Sequence, residues 1–189
     1  MKAFNIYLCG VGGQGIGLLS EILLRAVDYA GFQAKAVDTH GLAQRGGVVI
    51  SHLRFGSAVY APMVPSGKGD LVVALERHEA LRGAETALRK GGTLIYYNTV
   101  LQPLGVRLGR DNEVSEQYIQ DYCTAANIKV VKVERDNLSD PKMQNIVVLA
   151  QINRLGLLPE VAEKHYVQAM TDLMTGSMLD ANLQLFRTL

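Results

Sequence analysis

The feature that most constrains this chain is a glycine-rich turn between an apolar run and a helical pattern, in the stretch YLCGVGGQGIGLLSEILLRA. Gly10, Gly12 and Gly15 satisfy the spacing G-x-G-x-x-G. Glycine tolerates positive φ and lets backbone amides approach an anion at the amino terminus of a helix. The stretch therefore predicts a strand, a tight turn and a helix, and its functional interpretation is a nucleotide or another phosphate-bearing ligand.

Strands and helices are predicted to alternate along the rest of the chain. The strand before the turn spans residues 4–9, and later runs of strand type lie at 33–38, 48–55, 70–75, 93–98 and 128–133. Helical patterns follow at 76–90, 113–126 and 141–155, and again from Pro159 onward. Ser139 or Asp140 is in position to cap the helix that begins near Pro141.

This order predicts an α/β, Rossmann-like layered fold with a mostly parallel sheet. Residues 48–61 are the exception. Gly56 and Ser57 resemble a hairpin turn between the run at 48–55 and Ala58–Ala61, which predicts an antiparallel excursion near residues 48–61. A length of 189 residues fits one domain of ordinary size, and we interpret residues 1–189 as a single domain.

The residues alone leave several interpretations of the turn open. Asp38 ends the second predicted strand about 20 residues after the turn, where the ribose-binding acid of a dinucleotide-binding unit stands. This favours an NAD(P)-dependent oxidoreductase, although no catalytic set of acids and bases follows. The turn could also serve only to pack its helix on the sheet. Adenylate-forming activating enzymes use a similar turn, usually together with zinc-binding cysteine pairs that this sequence lacks.

Composition narrows the range of partners. The formal net charge of +1 and the absence of tryptophan give no support for nucleic-acid binding or for an anionic membrane. No apolar stretch reaches the length of a membrane span. Cys9 and Cys123 form no C-x-x-C pair and cannot ligate a four-cysteine cluster. These features fit a protein of the reducing cytoplasm.

Further segments give the glycine turn a family context. They are DTHGLAQRGGVVISHLRFG (38–56), GDLVVALERHEALR (69–82) and LRKGGTLIYYN (88–98). In this order and together with GVGGQGI, they resemble the gamma-type subunit of 2-oxoacid:ferredoxin oxidoreductases, over roughly residues 4–150. The form HGLAQRGG is similar to the indolepyruvate type, whose beta subunit is this domain standing alone. The later stretch QNIVVLAQI is similar to an Asn-containing helix of the family.

The resemblance implies an accessory subunit of a larger enzyme. Such complexes decarboxylate a 2-oxoacid on thiamine diphosphate, pass electrons through iron–sulfur clusters to ferredoxin, and transfer the acyl group to coenzyme A. This sequence has no Gly-Asp-Gly…Asn segment that would hold thiamine diphosphate through Mg²⁺. We therefore expect thiamine diphosphate, Mg²⁺ and the clusters on a large partner subunit, in a hetero-oligomer that reaches ferredoxin indirectly.

The resemblance also implies roles for particular residues. Coenzyme A contact at the interface is expected at the glycine turn, and no metal ligand or catalytic residue is expected on this chain; the turn residues are Gly10, Gly12, Gly13, Gln14 and Gly15. Arg45, Gly46 and Gly47 are expected to contact the partner or a ligand, because a guanidinium on a glycine-flexed loop can fork onto a phosphate or carboxylate. The alternative for Arg45 is a solvated loop arginine or an ion pair within the chain.

Other polar residues have a simpler expected role. His40 and His52 are expected to be hydrogen-bonding loop and strand residues rather than acid/base groups. The charged residues 76–82, which we call the charged helix start, are expected to form a solvated helix face with spaced ion pairs. A docking surface is the alternative, because such helix starts lie at the functional edge of parallel sheets.

Overall fold

The computed structural model describes residues 1–40, 47–101, 106, 108–110, 112–138 and 140–189, without the side chains of Thr39 and His40. Six strands are present in this part of the chain: β1 (Phe4–Val11), β2 (Ala34–His40), β3 (Val48–Phe55), β4 (Gly69–Ala74), β5 (Leu88–Tyr97) and β6 (Lys129–Val133). The α-helices of the same part are α1 (Ile16–Tyr29), α2 (Arg77–Ala87), α3 (Glu116–Ala125), α4 (Gln144–Arg154), α5 (Glu163–Leu173) and α6 (Gly176–Arg187).

The strands form one mixed sheet in the order β2-β3-β1-β4-β5-β6. Strands β1, β4, β5 and β6 pair in parallel, whereas β3 pairs antiparallel with both β1 and β2. Five strands therefore run in one direction and only β3 opposes them. The prediction of an α/β fold with an antiparallel excursion is confirmed.

Helices cover both faces of the sheet, which is why its central strands are almost entirely apolar. On one face, α1, α4, α5 and α6 enclose the larger core, into which side chains such as Leu8, Leu53 and Val73 point. On the other face, α2 and α3 cover a smaller core that contains Cys9, Val72 and other buried side chains. Neighbouring side chains of one strand thus serve two separate cores.

The predicted second half of a hairpin is wrong, because Ala58–Ala61 forms no strand. Instead, the guanidinium of Arg54 donates to the carbonyl oxygens of Ala61 and Met63 at 2.9 and 3.3 Å. The connection that follows β3 is therefore held by the Arg54 side chain, in place of a ladder of backbone hydrogen bonds.

The helix predicted at 76–90 is too long at its carboxyl end. It ends at Ala87, since Leu88 is extended and pairs with Gly69 at the start of β4. At the start of the helix predicted for 141–155, the carboxylate of Asp140 accepts the amide of Lys142, as the sequence predicts. A short 3₁₀ turn at Pro141–Met143 leads from this cap into α4.

The helix predicted from Pro159 begins later than expected, at Glu163. Glu160 has a φ of +62°, in the left-handed region, so no α-helix can pass through it. The helical structure is interrupted once more after Leu173, and α6 begins at Gly176. Within the described ranges, no helix is long and apolar enough to cross a membrane.

Candidate functional site

The carboxyl ends of the five co-directional strands meet at one edge of the sheet, where α/β proteins usually bind ligands. The glycine turn, residues 10–15, lies at this edge between β1 and α1. The segment that leads into β3 reaches the same edge, because Val48 pairs with Val11 in the antiparallel ladder. Two of the sequence motifs therefore meet here.

Each glycine of the turn has a different role. A Cβ on Gly10 would lie 3.0 Å from the Gln14 side chain, so this position is packed. The amide of Gly12 donates to the carbonyl of Gly47 at 2.8 Å. Gly13 has a φ of +103°, and a Cβ there would meet nothing within 4 Å. Gly15 has a φ of +81° and is the N-cap residue of α1.

Gln14 faces the interior of the turn rather than solvent. Its side chain is buried, and its Oε1 accepts the amide of Val11 at 2.7 Å. Its Nε2 donates to the carbonyl of Leu75, just after β4, at 2.5 Å. Both polar atoms of Gln14 thus hold the turn against the ends of β1 and β4 and fix the backbone around it.

The outer side of the turn presents backbone amides. Gly13 and Gly17 are exposed, and no side chain of the described part of the chain caps α1. The first three residues of a helix have no carbonyl one turn earlier to accept their amides, and a helix amino terminus carries partial positive charge. This arrangement can receive a phosphate or a carbonyl oxygen.

Asn145 contacts the glycine turn, and the sequence indicated this residue only through its helix. It lies near the start of α4, is 4% exposed, and its Nδ2 donates to the carbonyl of Gly15 at 3.3 Å. The amino-terminal ends of α1 and α4 therefore lie side by side at the glycine turn. Local sequence patterns do not reveal such a contact, because the two residues are 130 positions apart.

The loop motif before β3 is described only in part. Arg45 and Gly46 lie outside the described residues, so their expected contacts with a partner or ligand stay predictions. Gly47 is described, and its hydrogen bond to Gly12 joins the end of this motif to the glycine turn. The structure thus brings the two predicted site segments together at this one contact.

Asp38 does not occupy the position of a ribose-binding acid. In dinucleotide-binding units the acid ends the strand next to β1, but here β3 separates β1 from β2. Two strand spacings place Asp38 about 10 Å across the sheet from β1. Its carboxylate instead accepts the hydroxyl of Ser20, in α1, at 3.5 Å. Asp38, which in the sequence most favoured the binding of a dinucleotide, is therefore not placed to bind its ribose.

The charged helix start is largely buried, contrary to the expectation of a solvated face. Glu76 is 0% exposed, and its carboxylate accepts the amides of Glu79 at 3.0 Å and Leu101 at 3.3 Å. His78 Nε2 accepts the amide of Val114 at 3.1 Å, so its Nδ1 carries the proton and donates to Glu76 at 3.0 Å. These bonds fix the chain on both sides of the segment between Leu101 and Val114.

Glu79 and Arg77, two other residues of the charged helix start, also have partners within the chain. Burial raises the pKa of Glu79, while its ion pair with exposed Arg82 opposes that rise. Arg77 is mostly buried and donates to Asn98 at 2.9 and 3.0 Å and to Glu113 at 3.2 Å. Their polar groups are thus used within the chain.

The candidate groups that remain within the described part have structural roles, whereas the side chain of His40 lies outside it and its role stays a prediction. His52 is buried in β3, its Nδ1 accepts the amide of Val64, and burial lowers its pKa, as expected for a structural histidine. The pKa of Cys9 is raised by burial, and burial raises that of Cys123 to about 11. Neither thiol therefore favours the thiolate that a cluster requires. The described residues contain no group of three or more potential metal ligands.

Comparisons with known proteins agree on one family. The family model described as pyruvate ferredoxin/flavodoxin oxidoreductase matches residues 5–188. The indolepyruvate oxidoreductase subunit IorB of Pyrococcus horikoshii is 30% identical over 194 residues, covering 98% of this chain and 94% of that protein.

Two solved structures share the fold. The gamma subunit of keto/oxoacid ferredoxin oxidoreductase from Geobacter sulfurreducens has a TM-score of 0.64 at 20% identity, covering 97% of this chain and 94% of its own. The 2-oxoglutarate:ferredoxin oxidoreductase from Magnetococcus marinus, solved with 2-oxoglutarate, coenzyme A and succinyl-CoA, has a TM-score of 0.72 at 17% identity. The similarity to it covers 100% of this chain and 30% of that chain.

Proposed function

The chain belongs to the pyruvate ferredoxin/flavodoxin oxidoreductase family as a gamma-type subunit of a 2-oxoacid:ferredoxin oxidoreductase, and from this premise we propose its part in the reaction. It is the accessory subunit of an indolepyruvate-type complex. It assembles with a large subunit that carries thiamine diphosphate, Mg²⁺ and iron–sulfur clusters and that reduces ferredoxin. It contacts coenzyme A through the glycine turn while the acyl group is transferred.

The observation that carries this proposal is the open outer side of the glycine turn. Gly13 is exposed, its φ is +103°, and a Cβ there would meet no atom of the described residues within 4 Å. Coenzyme A offers phosphates and the amide carbonyls of its pantetheine arm, and both groups accept hydrogen bonds from backbone amides. A helix amino terminus without a capping side chain favours either group.

The inner side of the turn supports the same role. Gln14 holds the turn from inside, and the amide of Gly12 is bound to Gly47. A backbone that is fixed before the ligand arrives loses less conformational entropy on binding. We extend the proposal to Arg45, Gly46 and Gly47 as contacts with the large subunit or with the ligand, since Gly47 adjoins the turn.

The proposed substrate class is supported by a relative that matches this chain over nearly its whole length. The subunit from Pyrococcus horikoshii is named for indolepyruvate, and its similarity to this chain is nearly end to end. A 2-oxoglutarate enzyme of the same fold was solved with coenzyme A, which makes coenzyme A the first ligand to test. An aryl pyruvate is accordingly the proposed 2-oxoacid of the complex.

The cofactors are proposed to lie on the large subunit. The sequence has two cysteines, both are buried, and a cluster of the four-cysteine type needs twice that number. The residues of this chain therefore do not fit an iron–sulfur cluster. We expect the purified chain alone to be folded and inactive in dye-linked oxidation of indolepyruvate, and activity without a partner would contradict this assignment.

Gly17 offers a test in which stability and function separate. It lies in the first turn of α1, is exposed, and a Cβ there would meet nothing within 4 Å. Leucine is a better helix former than glycine, so Gly17→Leu should fold at least as well. Its side chain would cover the first-turn amides. The complex should still assemble and reduce ferredoxin, and its apparent KM for coenzyme A should rise about tenfold or more.

Asp28→Leu is the matched control, because it adds an exposed leucine to the same helix near its far end. The two positions are 11 residues apart, which corresponds to about 16 Å along a helix. Coenzyme A kinetics of this variant should equal those of the unsubstituted complex. If Gly17→Leu also left the KM for coenzyme A unchanged in a fully assembled complex, the turn would serve packing alone.

A further inference from the structure

Asn145 lies in α4 and contacts the glycine turn, which belongs to a different part of the chain, through one hydrogen bond. Its Nδ2 donates to the carbonyl of Gly15 at 3.3 Å, and the same carbonyl accepts the amide of Leu19 at 3.0 Å. The side chain is 4% exposed, so it lies behind the turn, away from solvent. One carbonyl at the base of the turn is thus bound both by α1 and by α4.

The contact also explains why residue 15 must be glycine. Its φ of +81° disfavours any side chain, and a Cβ would lie 2.5 Å from Asn145 Nδ2 and 3.3 Å from its Cγ. The distance from this added Cβ to Asn145 Cβ would be 3.9 Å, which is an ordinary contact distance. The Asn145 amide therefore occupies the space that a larger residue at position 15 would need.

Two buried amides hold the turn from opposite ends. Gln14 joins it to β1 and β4, and Asn145 joins it to α4. Between the two anchors, Gly13 is exposed, and a Cβ on it would meet no atom within 4 Å in the part of the chain that the structure describes. The direction of the outward amides consequently depends on both anchors, although neither anchor faces the ligand side.

We propose that Asn145 is a positioning residue for acyl transfer to coenzyme A. It orients the amides of the glycine turn and of the first turn of α1 through the carbonyl of Gly15, and it acts without contacting the ligand. This inference rests on the proposed function, because it concerns the same site. It adds that the precision of the site comes from the packing of α4 against α1.

The first test measures kinetics in the complex with the large subunit. Asn145→Asp keeps the shape of the side chain but loses the N–H donor, and it sets a second oxygen against the Gly15 carbonyl. The apparent KM for coenzyme A should rise about tenfold, because the amides that bind the ligand are no longer held in one direction before it arrives. Ferredoxin reduction in the half-reaction that precedes coenzyme A should keep its rate.

Asn182 supplies the matched control. It is a buried asparagine in α6, and its Nδ2 donates to the carbonyl of Met178 at 2.8 Å within its own helix. Asn182→Asp removes an amide of the same kind away from the turn, so it should lower Tm without changing the KM for coenzyme A. Equal KM values for both variants and for the unsubstituted complex would overturn the positioning role.

The second test measures the contact itself by the free energy of unfolding of the chain. Gly15→Ala should be strongly destabilising when Asn145 is present and clearly less so in an Asn145→Ala background, where the space is free. The φ strain is common to both backgrounds and cancels in the comparison. Additive effects of the two substitutions would overturn the geometric basis of the proposal.

The Gly17→Leu variant separates failure of this inference from failure of the proposed function. A raised KM for coenzyme A in Gly17→Leu but not in Asn145→Asp refutes the positioning role and leaves the proposed function standing. An unchanged KM in both variants refutes both. A raised KM in both, with Asn182→Asp unchanged and with non-additive unfolding energies at residues 15 and 145, is the result expected here.

Discussion

The glycine turn and the charged helix start lie at the same edge of the sheet but use their polar groups in opposite ways. At the glycine turn, the side chain of Gln14 is directed inward and backbone amides face outward. At the charged helix start, the side chains of Glu76 and His78 are buried and bind the backbone of a neighbouring segment. Leu75 touches both regions, since its carbonyl accepts from Gln14 and it precedes Glu76.

The difference shows that a cluster of charged residues in a sequence does not by itself indicate a binding surface. The region with many charged residues uses most of them within the chain, whereas the outer amides of the turn, which has no charged residue, are capped by no side chain of the described residues. The charged helix start therefore has a structural role, and ligand contact is what we propose for the glycine turn. Substitutions in the first region should change stability, and substitutions on the outer side of the second should change coenzyme A kinetics.

The largest expected effect is that of Glu76→Ala. It removes an acceptor from the amides of Glu79 and Leu101 and from the His78 ring, all in a site without access to solvent. Buried donors without partners should lower the free energy of unfolding by about 3 kcal/mol or more, measured by urea denaturation. Glu85→Ala, at an exposed position of the same helix, should change it by less than about 0.5 kcal/mol. Equal effects would contradict the buried role.

The next largest expected effect is that of Gly13→Ala, where backbone strain can be separated from a change in coenzyme A kinetics. Gly13 and Gly31 both have positive φ, +103° and +86°, and a Cβ on either would meet nothing within 4 Å. Alanine at each position should therefore cost a similar amount of stability, about 1–2 kcal/mol. In the assembled complex, only Gly13→Ala should raise the KM for coenzyme A. A similar rise in Gly31→Ala would attribute the effect to stability alone.

The smallest effect concerns the pH dependence of stability at Glu79. Burial raises the pKa of this carboxyl in the folded chain, so the unfolded state binds fewer protons and the group favours folding more as pH falls. The Tm of Glu79→Gln should exceed that of the wild type most at pH 7, and this difference in Tm should shrink as the pH falls toward 4.5. A difference that grows on acidification would contradict the assigned direction.

The element types could be predicted from the sequence because each depends on local periodicity and capping. Asp140 caps the 3₁₀ turn before α4 as expected, and the glycine turn follows β1 as expected. The order of the strands could not be predicted in this way, because the insertion of β3 between β1 and β2 depends on pairing such as that of Leu8 with Ser51. That insertion is what removes Asp38 from the position of a ribose-binding acid.

The buried side of the site was hidden from sequence for the same physical reason. Adjacent charges suggest exposure, but the groups that satisfy Glu76 and His78 lie 25 and 36 residues further along the chain, at Leu101 and Val114. The family resemblance indicated the helix of Asn145 but not its contact with Gly15. Local patterns therefore located the glycine turn, and the fold alone revealed what holds it.

Hydrogen exchange in the complex tests the central claim most directly, because it observes the amides themselves. Exchange of the amides of residues 13–18 would be followed in the complex with the large subunit, with and without saturating coenzyme A. The account predicts that coenzyme A slows these amides about tenfold, while the amides of the charged helix start keep their rates. Unchanged exchange at residues 13–18, in a complex that forms acyl-coenzyme A normally, would contradict the assignment of the glycine turn as the ligand contact.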